Sequence, residues 1–330
     1  MPVAKSQSSG PSPATSSERT GSEHAAIVGR LAPSPTGLLH LGHARTFLLA
    51  WWSARSQGGR VVLRIDDLDG ERATAEFADA ARRDLEWLGL DWDGAPYLES
   101  SGLPRIQHAL ERLLADGAAF VCTCSRGDVR QAQSAPHEGA TEPRYPGTCR
   151  GRWPSLAEAE RVSGRRAGIR FLVPAGLVHF DDAVTGPQAF DVSAEAGDFL
   201  IARRGGAPAY QLAVVIDDDA QAVNEVVRGD DLLPSTARQK LLQAALGLGH
   251  PRWAHVPLVT DSRDQRLAKR EAALGLSELR ARGVDPQRIV AWAARSAGLD
   301  AGEAVHAAEV SGSFDITRIH RGRVVAPEFR

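Results

Sequence analysis

Apolar positions along this chain change period several times, and each change marks an element. Ile27-Val-Gly-Arg-Leu-Ala reads as a short buried strand closed by Pro33, Ser34, Pro35, Thr36 and Gly37. Leu41, Ala44, Phe47, Leu48 and Trp51 then recur at helical spacing until Gly58-Gly59 stops them. Val61 to Ile65 predicts a second buried strand. Glu76 to Leu88 predicts a helix with Phe77, Ala80, Ala81, Leu85 and Leu88 on one face. This strand–helix alternation argues for an α/β fold built on a doubly wound parallel sheet, with its ligand crevice at the carboxyl ends of the strands.

Ile106 to Leu114 continues as an amphipathic helix and Ala119 to Cys122 as a short strand. From Thr123 to Arg166 the periodicity fails, and the stretch reads as an irregular insertion. Ile169 to Val173, Phe199 to Ile201, Leu212 to Ile216, Val223 to Val227 and His255 to Thr260 are strand candidates. Pro234 to Leu246 suits a helix, and Leu276 to Ala281 and Pro286 to Ala297 suit two closing helices. The expected organisation is a tail (1–25), a first half of the nucleotide-binding fold (26–121), an insertion (122–170), a second half (171–275) and a C-terminal helical region (276–330).

Composition narrows this picture. Residues 1–25 hold seven serines and three prolines and too little apolar surface to offset the entropy of ordering, so they read as a disordered tail. The whole chain of 330 residues is 43% hydrophobic and 24% charged, which excludes collagen-like, coiled-coil and wholly disordered classes. Its longest apolar run, Phe47 to Trp52, is far short of the roughly 20 residues that cross a bilayer. With no apolar segment of signal type at the N-terminus, the expected location is the cytoplasm. A net charge of −2 offers no global attraction to a polyanion, so a nucleic-acid partner must be met by a local patch. Cys122 to Arg170, with nine arginines against five acidic residues, is the candidate patch.

Two features carry chemistry by residue type. His40 and His43 fall on one face at a helix N-terminus, where free N–H groups attract anions such as phosphate, and Gly42 between them lets a flat ring approach the backbone. Cys122, Cys124 and Cys149 are an odd number clustered in one segment, which fits a metal site or reduced thiols better than a disulfide framework. Three thiolates need a fourth donor to close a tetrahedral site, and His137 is the generic choice.

The run Pro33-Ser-Pro-Thr-Gly-Leu-Leu-His40-Leu-Gly-His43-Ala-Arg-Thr resembles the HIGH signature of class I aminoacyl-tRNA synthetases, specifically of their glutamyl branch. Leu63-Arg-Ile-Asp-Asp-Leu-Asp69, Asp84-Leu-Glu-Trp-Leu-Gly-Leu-Asp-Trp-Asp93, Tyr210-Gln-Leu-Ala-Val-Val-Ile-Asp-Asp218 and Val227-Arg-Gly-Asp-Asp-Leu232 extend the resemblance over roughly residues 27 to 300. Arg266-Leu-Ala-Lys269-Arg270 sits where that family carries its KMSKS loop, in degenerate form.

The resemblance implies a Rossmann-type catalytic domain that binds ATP with Mg2+ and L-glutamate. It places Arg30, Tyr210 and Arg228 around the glutamate side chain, Ser34 and Asp66 at its amine, and His40, Gly42, His43, Arg266 and Lys269 at ATP, with His40, His43 and Lys269 catalytic. Asp66 stands where the family usually has glutamate, one methylene or about 1.5 Å shorter, which suggests amine contact through water. Tyr145-Pro-Gly-Thr-Cys149 keeps the spacing of an unusual phenolate zinc ligand in a subset of the family, making Cys122, Cys124, Tyr145 and Cys149 the implied zinc set. Only about sixty residues follow Arg270, where a full glutamyl enzyme carries an anticodon-binding region. The chain therefore resembles the glutamyl-queuosine tRNA(Asp) synthetases, and a monomer acting on tRNA(Asp) that carries queuosine is expected. A truncated enzyme charging the 3′ end and a non-catalytic RNA-binding paralogue are the alternatives.

Overall fold

The computed structural model describes residues 26–70, 72–132, 144–263, 267 and 275–329. In chain order the first half comprises β1 (Val28–Leu31), α1 (Leu41–Ser56), β2 (Arg60–Ile65), α2 (Ala75–Trp87), β3 (Tyr97–Leu98), α3 (Leu103–Ala115) and β4 (Ala119–Cys122). There follow α4 (Arg126–Gln131), α5 (Leu156–Ser163), β5 (Gly168–Phe171), β6 (Val178–Asp182), β7 (Gly186–Phe190), α6 (Val192–Glu195) and β8 (Leu200–Ala202). The remainder is α7 (Tyr210–Ala220), β9 (Glu225–Gly229), α8 (Leu233–Leu246), β10 (Arg252–Val256), β11 (Val259–Thr260), α9 (Leu276–Ala281), α10 (Pro286–Ser296), α11 (Ala307–Ser311) and β12 (Val324–Val325).

Strands β1, β2 and β3 pair in parallel, as do β9, β10 and β6, while β7 closes the second sheet as an antiparallel edge. The two sheets meet side by side at β1 and β9. There Asn224 donates its backbone N–H to the Val28 carbonyl (3.1 Å) and accepts the Val28 N–H on its side chain (2.8 Å). The resulting order, β3-β2-β1-β9-β10-β6, reverses direction at β1, and such a switch point opens a crevice at the strand ends. Alternate strand residues feed two cores: Leu31, Val61, Leu63 and Val256 pack under α1 and α10, whereas Val28, Val62, Val226 and Trp253 pack under α3, α7 and α8. A sheet covered on both faces needs apolar side chains in both directions, which is why these strands read as continuous apolar runs. At Gly29 a Cβ would lie 2.9 Å from the Ala54 Cβ, so glycine lets α1 settle onto β1.

Several expectations are corrected. Leu212 to Ile216 belongs to helix α7, not to a strand. Leu212, Ala213, Val214 and Val215 are all buried because α3, α8 and β8 surround the helix, and a helix covered on every side has no readable period. Thr123 to Arg166 is not wholly irregular: α4 and α5 lie in it, each capped by a serine, Ser125 or Ser155. The strand expected over His255–Thr260 is two short strands, β10 and β11, separated at Pro257, whose missing N–H cannot continue a ladder. The C-terminal region holds, besides its two expected helices, α11 and the strand β12 that pairs with β11. No helix among the described residues is long and apolar enough to cross a membrane.

Candidate active site

His40 is the N-cap of α1. Its Nδ1 accepts the Gly42 N–H (3.1 Å), and His43 Nδ1 accepts the His40 N–H (3.3 Å), so the two imidazoles serve as a reciprocal capping box. Both rings therefore carry their proton on Nε2, and they stack with centroids 3.8 Å apart. A Cβ on residue 42 would meet the His40 ring at 2.9 Å. A glycine is therefore required here for the His40 ring to sit against the start of α1.

Burial lowers the His40 pKa; burial first, and then His40, draws His43 down to about 3. Both are neutral donors at physiological pH. Below about pH 6.5 the unfolded chain takes up a proton that native His43 refuses. The stabilisation is complete above that pH, and about 2 kcal/mol of it is lost by pH 5. Urea unfolding of wild type and His43→Gln at pH 7 and pH 5 is expected to show the smaller acid loss in the variant.

Arg64 on β2 is fully buried between two carboxylates, with Nε 2.7 Å from Asp66 Oδ1 and Nη1 2.6 Å from Asp218 Oδ1. Arg30 on β1 extends the chain of charge, its Nε 3.5 Å from the same Asp218 oxygen and its Nη1 donating to the Val227 carbonyl (3.3 Å). Asp66 and the exposed Ser34 and Tyr210 line a cavity of about 740 Å³ whose wall also carries Arg126, Arg130 and Arg203. Glu99, on the same wall, is pushed up to about 8 by burial and then by Asp66, so it is protonated at neutral pH.

Arg228 on β9 lies behind Tyr210 and is 4% exposed. Its Nη1 donates to the Tyr210 hydroxyl (3.4 Å), Nη2 to Thr236 Oγ1 (2.8 Å) and the Leu232 carbonyl (3.4 Å), and Nε to His255 Nε2 (3.0 Å). The guanidinium sits 4.9 Å from the Trp253 ring centre. No carboxylate pairs with it among the described residues. Burial works against its proton more than Tyr210 and the charge of Asp218 favour it, and Arg30 adds to the cost, so an arriving anion would bring relief.

The three cysteine sulfurs lie within 4.8 Å of one another, Cys124 and Cys149 at 3.6 Å. Tetrahedral zinc, with Zn–S near 2.3 Å, sets thiolates about 3.8 Å apart, so the cluster fits such an ion. The Tyr145 hydroxyl lies beside it, 3.4 Å from Cys122 Sγ and accepting the Cys149 N–H (2.8 Å). Arg170 donates to Cys122 Sγ (3.3 Å), lies over the Tyr145 ring and borders the cavity.

Ser34, Asp66 and Tyr210 thus line one cavity, with Arg30 joined to it through Asp218, Arg64 and Asp66 and Arg228 through Tyr210, while His40 and His43 stand at the start of α1 and do not line it. Arg266, Lys269 and the basic loop around them, together with His137 and the tail 1–25, lie outside the described residues. Sequence pattern alone does not single out Arg64, Asp218, Glu99, Asp182 or His255. The first two stand inside quoted motifs, and a demand for counter-charges to Arg30 would have pointed to Asp218.

The family model described as "tRNA synthetases class I (E and Q), catalytic domain" matches residues 26–324. A "Glutamyl-Q tRNA(Asp) synthetase" of Symbiobacterium thermophilum is 44% identical over 311 residues, covering 91% of this chain and 96% of that protein. A "Glutamate--tRNA ligase" of Geobacter sulfurreducens is 41% identical over 81% of this chain, which spans 56% of that ligase. The crystal structure of a glutamate-tRNA synthetase from Elizabethkingia anophelis shares the fold, with a TM-score of 0.78 at 24% identity over 92% of this chain and 68% of that one.

Proposed function

Since the chain belongs to the class I tRNA synthetase (E and Q) catalytic-domain family and is a ligase, we propose that it joins L-glutamate to ATP as glutamyl-adenylate and passes the glutamyl group to queuosine at the wobble position of tRNA(Asp). The observation that carries the glutamate reading is Arg228, a buried cation with no carboxylate of its own among the described residues, one hydroxyl away from the cavity. In this reading Arg30, Tyr210 and Arg228 take the side-chain carboxylate, with charge-assisted guanidinium contacts favouring it over a neutral amide. Ser34 and Asp66 take the ammonium group. Asp66 Oδ1 is committed to Arg64, which leaves Oδ2 for the substrate or a bridging water.

His40 and His43 offer Nε2–H donors to the phosphates, and Lys269 with Arg266 supplies cations where charge builds as the carboxylate attacks the α-phosphate. Mg2+ accompanies ATP and neutralises its phosphates. Zinc at Cys122, Cys124, Tyr145 and Cys149 supplies structure, because four protein donors leave no place for a water. Queuosine as acceptor is supported by the names of the most similar relatives. A base extruded from the anticodon loop would have room in the remainder of the cavity, beside Arg126, Arg130 and Arg203.

The test charges tRNA(Asp) from cells with and without queuosine, using labelled glutamate. The expected outcome is label only in the queuosine-containing pool, surviving periodate oxidation of the 3′ end, together with glutamate-dependent pyrophosphate exchange that falls at least about ten-fold in His43→Ala. Equal labelling of both pools, abolished by periodate, would mean ordinary 3′-charging. Absence of exchange with every amino acid would leave a non-catalytic paralogue.

A further inference from the structure

We propose that Asp182 and His255 form a positioning dyad that holds the proton of His255 on Nδ1 and so presents Nε2 as the acceptor that locks Arg228 in place for the glutamate side chain. The proposal rests on the glutamate reading above and adds to it the residues that make Arg228 selective.

Asp182 ends β6 and is fully buried. Its Oδ1 accepts three backbone N–H groups, from Val184 (3.0 Å), Thr185 (2.8 Å) and His255 (3.2 Å). Three backbone donors on one oxygen favour the ionised carboxylate, and despite burial the hydrogen bonds from His255 and Thr185 hold Asp182 below its ordinary value. Its second oxygen, Oδ2, lies 2.6 Å from His255 Nδ1, and that nitrogen must be the donor. In a neutral imidazole the other nitrogen then bears the lone pair. His255 Nε2 faces Arg228 Nε at 3.0 Å, a group that can only donate, and Thr236 Oγ1 at 3.1 Å. A protonated ring would turn an N–H against the Arg228 N–H, and burial, aided by the charge of Arg228, keeps the His255 pKa low despite Asp182.

The arrangement uses up Arg228 on three sides. Of its five hydrogens, one goes to His255, two to Thr236 and Leu232, and one to Tyr210. The one left over is on Nη1, the nitrogen nearest the cavity wall. A free arginine side chain would lose rotamer entropy on being fixed. Here that loss is met before substrate arrives, which is how preorganisation raises affinity.

A merely structural account is available, since Trp253 and Asp182 form the β6–β10 register pair. The variant Asp182→Asn separates the two. Asparagine is isosteric, but its oxygen is demanded by three backbone donors, so its NH2 turns toward His255 Nδ1. The ring must then carry its proton on Nε2, against Arg228. The expected result is a ten- to hundred-fold rise in the glutamate KM for pyrophosphate exchange, with the ATP KM and kcat within about three-fold of wild type. His255→Leu is expected to match it. His255→Gln, which keeps an acceptor for Arg228, stays within about five-fold of wild type. Independently of any substrate, 15N imidazole shifts should report His255 as the Nδ1–H tautomer in the wild type and as the Nε2–H tautomer in Asp182→Asn.

An Nε2–H tautomer in the wild-type protein, an unchanged glutamate KM in Asp182→Asn, or equal rises in both KM values would overturn the proposal. The tautomer measurement decides even if a variant fails to fold. Lack of glutamate-dependent exchange by the wild type would instead count against the proposed function.

Discussion

Arg228→Ala is expected to lower kcat/KM for glutamate in pyrophosphate exchange by about two to three and a half powers of ten. Breaking one side of a buried charge pair costs about 3–5 kcal/mol, and each ten-fold corresponds to about 1.4 kcal/mol. Nearly all of the loss should fall on glutamate and little on ATP, because Arg228 contacts Tyr210, Thr236, Leu232 and His255 and not the histidines at the start of α1. Discrimination against glutamine should collapse in parallel, since a neutral amide loses less than an anion when the cation goes. Arg228→Lys should fall between the two: its ammonium keeps the charge but cannot span Tyr210, Thr236 and His255 at once. Thermal unfolding is the control. A variant as stable as wild type with unchanged kcat/KM would remove Arg228 from the substrate site.

Stripping the metal should have a second large effect of a different kind. The apolar packing around the cysteines amounts to Cys122, Val129, Tyr145 and Cys149, with Phe120, Cys124 and Trp153 partly buried against them. That is too little to hold a module together, whereas structural zinc is worth about 10–16 kcal/mol in small zinc peptides. Elemental analysis should give close to one zinc per chain, lost in Cys149→Ser and weakened in Tyr145→Phe but not in His137→Ala. Without metal, transfer to tRNA should disappear, while glutamate-dependent exchange persists within a few-fold because Arg30, Asp66 and Arg228 are held by other elements. Full transfer by a zinc-free protein would show that the cysteines are simply reduced thiols.

What the sequence revealed depended on how locally each feature is encoded. Helix α1 has both its stripe of apolar residues and its glycine stop in the sequence, and α9 runs over Leu276–Ala281 as its pattern implies. Helix α7 defeated the same reasoning, because burial on all sides erases the polar face that gives a helix its period. The β6–β7 hairpin was missed: Val178 to Phe190 mixes His179, Asp181, Asp182 and Gln188 into two strands, which leaves no clean alternation. At the site, Tyr210 and Arg228 stand within long ordered motifs and Arg30 lies just before one. Their supports do not stand out, since Arg64 meets Asp218 across 154 positions, His255 meets Asp182 across 73 and Arg228 meets His255 across 27. Only folding states which of many charged residues will be neighbours.

Asn224 ties the start of β9 to β1, and the partners are separated by 196 positions. During synthesis at about 5–20 residues per second, the inner edge of β1 would wait roughly 10–40 s for its neighbour to be made. An unpaired edge of that age is an aggregation hazard. The strand is only four residues long and carries Arg30 in its middle, both of which blunt an edge. The arginine suited to gripping a carboxylate in the finished protein is thus also a guard on the nascent chain, and replacing it by an apolar residue of similar length should depress soluble yield as well as activity.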